Sequence, residues 1–172
     1  MVLRPKNPMT RRTIEPLYEG VPFSDGFLKS GYSIAVDGEV YPGMVAAMCG
    51  EHEFQLSDGD VIGEGGDSGA FYGLFHHFYT VDCDDTASNT IPMAIWKGGG
   101  TYKVFTEALD ENSTYEVPSS GVAELVAGST AEGNKGKLIP RPEGNTNPTV
   151  AILLKVFPDA IEVELLPASH TY

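Results

Sequence analysis

Apolar and polar residues alternate along this chain over short stretches, and glycine or proline separates one stretch from the next. The clearest example is Thr90–Glu107. In an extended strand Ile91, Met93 and Ile95 point one way, and Pro92, Ala94 and Trp96 the other. Both faces are apolar, which predicts a strand buried on both sides. Gly98, Gly99 and Gly100 permit the positive φ of a tight loop, after which Tyr102 and Val104 alternate with Lys103 and Phe105. The pattern predicts a hairpin with Trp96 in the core.

Further short strands are predicted at Tyr32–Val36, Val40–Met48, Glu53–Leu56, Ala70–Thr80, Thr114–Val117, Val122–Ala127, Lys137–Ile139, Thr149–Phe157 and Ala160–Leu166. Pro42-Gly43 implies a bulge or a strand edge within its segment. Asp37-Gly38, Ser57-Asp58-Gly59-Asp60 and Pro158-Asp159 read as turns. In Ala160–Leu166, Ile161, Val163 and Leu165 alternate with Glu162 and Glu164, the mark of one solvated face. Glu107–Thr114 is polar and has room for one helical turn at most. With 20 glycines and 12 prolines, long helices have little space. The fold class expected is all-β, a compact antiparallel β-barrel or sandwich.

The 172 residues make one β domain over 24–172 the simplest division, large enough to bury about 70% of its unfolded surface. Residues 1–23 differ from it. Pro5, Pro8, Pro16 and Pro22 preclude a continuous helix, and no period-2 pattern persists, so an extended N-terminal arm is expected.

Charge sharpens that division. The formal net charge is −13, which argues against binding the nucleic-acid backbone. Four of the 11 basic residues (Arg4, Lys6, Arg11 and Arg12) fall within residues 1–12, which hold no acid; seven bases against 24 acids remain, or −17. A basic arm on an acidic body is the strongest asymmetry in the sequence. No apolar run approaches the roughly 20 residues of a membrane span. The first residues lack the apolar core of a secretory signal, so synthesis and retention in the cytoplasm are expected. Cys49 and Cys83 are then expected as free thiols.

Four sequence fragments touch on catalysis or ligand binding. Gly66-Asp67-Ser68-Gly69 resembles the nucleophile loop of chymotrypsin-like proteases, but only His52 precedes Ser68, with too little chain for a first barrel. Val81-Asp82-Cys83-Asp84-Asp85-Thr86 resembles the strand-end motif of haloacid dehalogenase-type phosphatases, yet the helix of a βαβ layout does not follow. The same acids lack the glycine and closing glutamate of a helix–loop–helix calcium loop. His76 and His77 face opposite sides of a strand and cannot chelate one ion together. Gly128–Lys137 lacks the Gly-Lys-Ser/Thr of a phosphate loop. A glycine-rich loop, an acidic turn and two ordinary histidines are the readings retained, with no enzyme activity, cofactor or metal expected.

An arm leading into a compact β body carries Val40-Tyr41-Pro42-Gly43-Met44-Val45 and Gly73-Leu74. Ile91-Pro92-Met93-Ala94-Ile95-Trp96-Lys97-Gly98-Gly99 and the closing pair Ala151–Phe157 and Ile161–Leu166 complete the pattern. In strand order this resembles the head decoration, or cement, proteins of tailed bacteriophages, over roughly Ser24 to Pro167. The resemblance implies a virion protein on the outer capsid surface, often a homotrimer, that binds the major capsid protein and stiffens the shell. Neither nucleic acid nor membrane would be a partner. Arg4, Lys6, Arg11, Arg12, Leu17 and Tyr18 are the residues expected to contact the capsid or a neighbouring subunit. The alternative is a carbohydrate-binding β module, for which the 8 tyrosines could supply exposed rings.

Overall fold

The computed structural model describes residues 15–16, 23–28, 39–50, 53–59, 71–76, 78–80, 92–97 and 99–168. They fold into two β layers that share one apolar core. The first layer is a closed five-stranded barrel in the order β2-β5-β4-β6-β8. Its strands are β2 (Phe23–Leu28), β4 (Val45–Gly50), β5 (Glu53–Leu56), β6 (Gly73–Phe75) and β8 (Pro92–Lys97). The second is a six-stranded sheet in the order β1-β9-β13-β12-β10-β11. It comprises β1 (Glu15–Pro16), β9 (Thr101–Phe105), β10 (Ala123–Ala127), β11 (Leu138–Pro140), β12 (Ala151–Val156) and β13 (Ala160–Leu165). A small pair, β3 (Glu39–Val40) with β7 (Tyr79–Thr80), stands beside the barrel.

The all-β expectation holds, and pairing between named strands is antiparallel except for β2 with β5, which run parallel. The helical content of the described residues is one 3-10 turn, Thr106–Ala108, within the segment expected to hold at most one turn. The closing hairpin also matches. Ile161, Val163 and Leu165 are buried while Glu164 is exposed, and Phe157 N–H donates to the Ala160 carbonyl at 2.8 Å to close the turn.

The predicted hairpin at Thr90–Glu107 is overturned. Both its strands exist, but they do not pair: β8 bonds to β2 and β6, β9 to β1 and β13. Gly99 (φ 87°) and Gly100 (φ 116°) carry the chain from one layer to the other. There Gly99 N–H donates to the Leu165 carbonyl at 2.9 Å, and Leu165 N–H to the Gly100 carbonyl at 3.0 Å. The difference between the strands explains the split. Ile95 of β8 is fully buried in the barrel, whereas Lys103 of β9 pairs in register with Glu162, an opposite charge on the outward face. Trp96, expected in the core, packs at its margin and is only partly buried, its ring 5.1 Å from His76 and 5.9 Å from Tyr102.

Two long predicted strands are each broken. Val40–Met48 divides at Tyr41–Met44, where Gly43 has φ 94° and Met44 N–H donates to the Tyr41 carbonyl at 3.1 Å. Ala70–Thr80 divides after Phe75, which exchanges bonds with Met44 and Gly43. Both chains therefore leave the barrel together to form the β3–β7 pair, and Tyr41 meets Phe78 ring to ring at 5.1 Å. The Pro-Gly pair makes a full turn here, where a bulge or an edge was expected. Thr114–Val117 joins no ladder among the described residues.

Main-chain bonds bind the layers to each other. Val45 N–H donates to the Gly136 carbonyl at 2.7 Å, and Gly59 N–H to the Gly128 carbonyl at 2.9 Å. Asp58 accepts from Thr130 N–H at 3.0 Å and from its hydroxyl at 2.5 Å, with Lys135 Nζ 3.6 Å away. The core between them includes Phe54, Leu56, Phe75, Tyr102, Tyr115, Leu125 and Val163.

Candidate docking surface

At one end of the six-stranded sheet a few apolar side chains stand exposed on its outward face. β10 pairs with β12 only as far as Ala123 with Leu153, so Leu154–Val156 keeps β13 as its ladder neighbour and has none on the other side among the described residues. The β12–β13 register shifts between Leu153 and Lys155, a bulge that sets Lys155 opposite Glu162 and leaves Leu154 and Lys155 both on the exposed side. Val122, one residue before Ala123, falls next to Leu154 in register. Leu154 is 40% exposed, Val117 49% and Val122 65%, the large apolar side chains that stand out among the described residues. Between Tyr115–Val117 and Leu154–Val156 lies a shallow, open groove of about 470 Å³. Its lining mixes apolar surface with the charged side chains Glu116 and Lys155.

The wall formed by Tyr115–Val117 is set by a polar anchor beneath it. Tyr115 is fully buried, donates its hydroxyl to the Leu138 carbonyl of β11 at 2.6 Å and accepts from Asp110 N–H at 3.0 Å. Burial pushes the Tyr115 phenol well above its ordinary pKa. Asp110 closes the intervening loop. It accepts from the Ser113 hydroxyl at 2.8 Å, from Asn112 N–H at 3.2 Å and from Asn134 Nδ2 at 3.4 Å. Partial burial works against its charge, but these bonds and the field of Lys137 outweigh it and hold the carboxyl below the usual range.

On the same outward face the ring of Phe157 has Lys155 Nζ at 4.9 Å and Lys103 Nζ at 5.3 Å from its centroid. Arg141 organises the loop behind β10. Its Nε meets Glu124 at 2.6 Å, Nη1 donates to the carbonyls of Asn145 and Asn147 at 2.9 and 2.7 Å, and Nη2 to Thr149 at 2.5 Å.

The arm residues expected to make contacts, Arg4, Lys6, Arg11, Arg12, Leu17 and Tyr18, lie outside the described residues. So do Ser68, Asp82, Cys83, Asp84, Asp85 and His77. The one piece of residues 1–23 described apart from Phe23 is β1, which adds to the edge of the sheet with Glu15 opposite Lys103 and Pro16 opposite Tyr102. The groove was missed from sequence because Val117 and Leu154 sit in segments that read as ordinary strands. Neither the end of β10 at Ala123 nor the bulge beside Leu154 has a signature in composition.

For the carbohydrate alternative the tyrosines matter. Among those with described side chains, Tyr72, Tyr102 and Tyr115 are buried and Tyr41 is half-buried, so these four present no exposed ring. Among the described residues, no group of three or more His, Cys, Asp or Glu side chains is placed to hold a metal. No described helix is long and apolar enough to cross a membrane. No family model matches the chain, and no curated protein or solved structure does.

Proposed function

We propose that this protein decorates and stabilises the outer surface of a tailed-bacteriophage head by binding the major capsid protein, as a homo-oligomer and without catalysis. The observation that carries the reading is β1. The arm's Glu15–Pro16 lies as an edge strand on β9, three residues after the last of the four cations in sequence. A strand already added to a sheet edge is the arrangement by which extended segments tie one subunit to another. An acidic body, −17 outside residues 1–12, keeps closely spaced copies from coalescing.

In this role the arm supplies contact area, and Arg4, Lys6, Arg11 and Arg12 meet carboxylates of the shell. Exposed ion pairs are worth only about 0–1 kcal/mol each. Affinity then comes mainly from Leu17, Tyr18 and main-chain contacts, while charge sets orientation and salt sensitivity. The test is co-sedimentation with purified heads that lack the protein. Saturable binding is expected. Changing all four cations to Gln should weaken it modestly and most visibly at low salt, whereas Ser68→Ala and Asp82→Ala should leave it unchanged. Absence of binding to heads, or attachment indifferent to the four cations at low salt, would overturn the reading.

A further inference from the structure

The large apolar side chains that stand exposed among the described residues gather in one place. Val117 and Leu154 border the same groove, and Val122 immediately precedes Ala123, the partner of Leu153. Scattered singly such side chains need no explanation; gathered, they mark a contact surface. Residues 116–122 are exposed throughout, and 117–122 make no hydrogen bond among the described residues. The loop is shaped all the same. The Tyr115 hydroxyl on Leu138 fixes one foot and β10 the other, Pro118 restricts its own φ, and Gly121 takes φ 85°. A surface shaped in advance loses little conformational entropy when it is covered. Beside it, residues 154–156 have no ladder neighbour on the β10 side among the described residues.

Charge selects the occupant. Outside residues 1–12 the chain carries −17, so two copies repel each other over most approaches. Residues 117–123 and 153–154 hold no charge, and the flanking Glu116 and Lys155 cancel. Lys155 is exposed and joins no ion pair among the described residues, its ammonium lying over the Phe157 ring at 4.9 Å. We propose that this surface joins two copies of the chain about a twofold axis. The loop of each copy lies along residues 154–156 of the other, where its main-chain N–H and C=O groups meet an unextended strand margin. Val117 and Val122 cover the partner's Leu154, and Glu116 meets the partner's Lys155. A twofold contact repeats each of these pairs. It engages nine residues a side (116–122, 154 and 155), against about 20–30 in a standard interface, so association is weak. This gives the homo-oligomer of the proposed function a surface, rests on that part of the reading alone, and is independent of what the oligomer attaches to.

The experiment is sedimentation velocity of the full-length protein without shells, from about 1 μM to about 1 mM. The sedimentation coefficient should rise with concentration toward that of a dimer. Glu116→Lys and Lys155→Glu each set like charges together at two places and should weaken association at least about tenfold, which is about 1.4 kcal/mol. Both residues are exposed, so the melting temperatures should not change. An equimolar mixture of the two variants restores both pairs across the axis and should associate as the wild type does. Val122→Asp, at a side chain 65% exposed, should weaken association at an unaltered melting temperature. A wild-type protein that is monomeric throughout overturns the proposal. So do variants that associate like the wild type, a mixture that fails to recover, or a larger oligomer that survives all three substitutions. Head binding is measured separately by co-sedimentation and can fail without altering this result.

Discussion

The hydroxyl of Tyr115 donates to the carbonyl of Leu138 at 2.6 Å, joining a segment outside the named strands to the edge strand β11. That oxygen also accepts from Asp110 N–H, so one buried atom holds both ends of the loop that walls the groove. Tyr115→Phe keeps the ring's packing but strands a buried carbonyl and an amide. A loss of about 1–3 kcal/mol is expected, the usual penalty for an unsatisfied buried polar group. Urea unfolding of the variant should show a lower midpoint with unchanged slope.

Stability should depend on pH at both extremes, for different residues. Asp110 has a depressed pKa in the folded state, so its contribution is present above the unfolded carboxylate value and is lost as pH falls through the folded one. Tyr102 and Tyr115 behave oppositely. Burial raises both, Tyr102 to about 12 from an ordinary 10.0, so their neutral forms favour folding below pH 10.0. That contribution disappears as pH rises from there through the folded values. Thermal melts should weaken on acidification through the carboxylate range, and Asp110→Asn should flatten that limb. On the alkaline side Tyr102→Phe should flatten the decline above pH 10.

Gly73 faces Lys97 across the β6–β8 ladder so closely that an added Cβ would fall 2.1 Å from the Trp96 carbonyl oxygen. The obstructing atoms are the Trp96 backbone and the buried Ile95 side chain of β8, which leave little room to yield. Gly73→Ala should therefore cost at least about 1–3 kcal/mol, the range for overpacked cores. Gly99→Ala meets nothing within 4 Å and suffers only its φ of 87°, so it should cost less. Paired melting temperatures would check the order.

Arg141 places three nitrogens on four partners in one plane-limited fork, reaching Glu124, Asn145, Asn147 and Thr149. A lysine keeps the charge but cannot reproduce that geometry. Arg141→Lys should lower stability by about 1–3 kcal/mol, since several charge-assisted bonds are lost together. Hydrogen exchange should rise at residues 141–149 before it rises in β12.

Where periodicity reports on burial, the chain could be read directly. β5 over Glu53–Leu56 and the β12–β13 hairpin were legible because alternation, turn residues and strand length agree there. Pairing partners were not. Gly98–Gly100 suits a hairpin and a crossing between layers equally well, and only the competing edges of β1 and β13 decide between them. The break after Phe75 was hidden because aromatic residues continue past it to Phe78 with no turn residue between, while the turn at Tyr41–Met44 that forces it lies about thirty residues earlier. The groove was illegible for a related reason: an open ladder position is a property of the neighbour that stops short, Ala123, and not of Leu154 itself.

The edge position of β1 also imposes an order in time. Its partner β9 begins at Thr101 and is flanked by β13, which ends at Leu165. During synthesis the barrel strands up to Lys97 emerge well before that surface exists. Glu15–Pro16 must therefore wait until β9, over eighty residues later, has emerged before it has anything to pair with. A copy truncated before β9 has no seat for its own first strand, so seating the arm's base reports that the chain has passed out of the barrel and into the second layer.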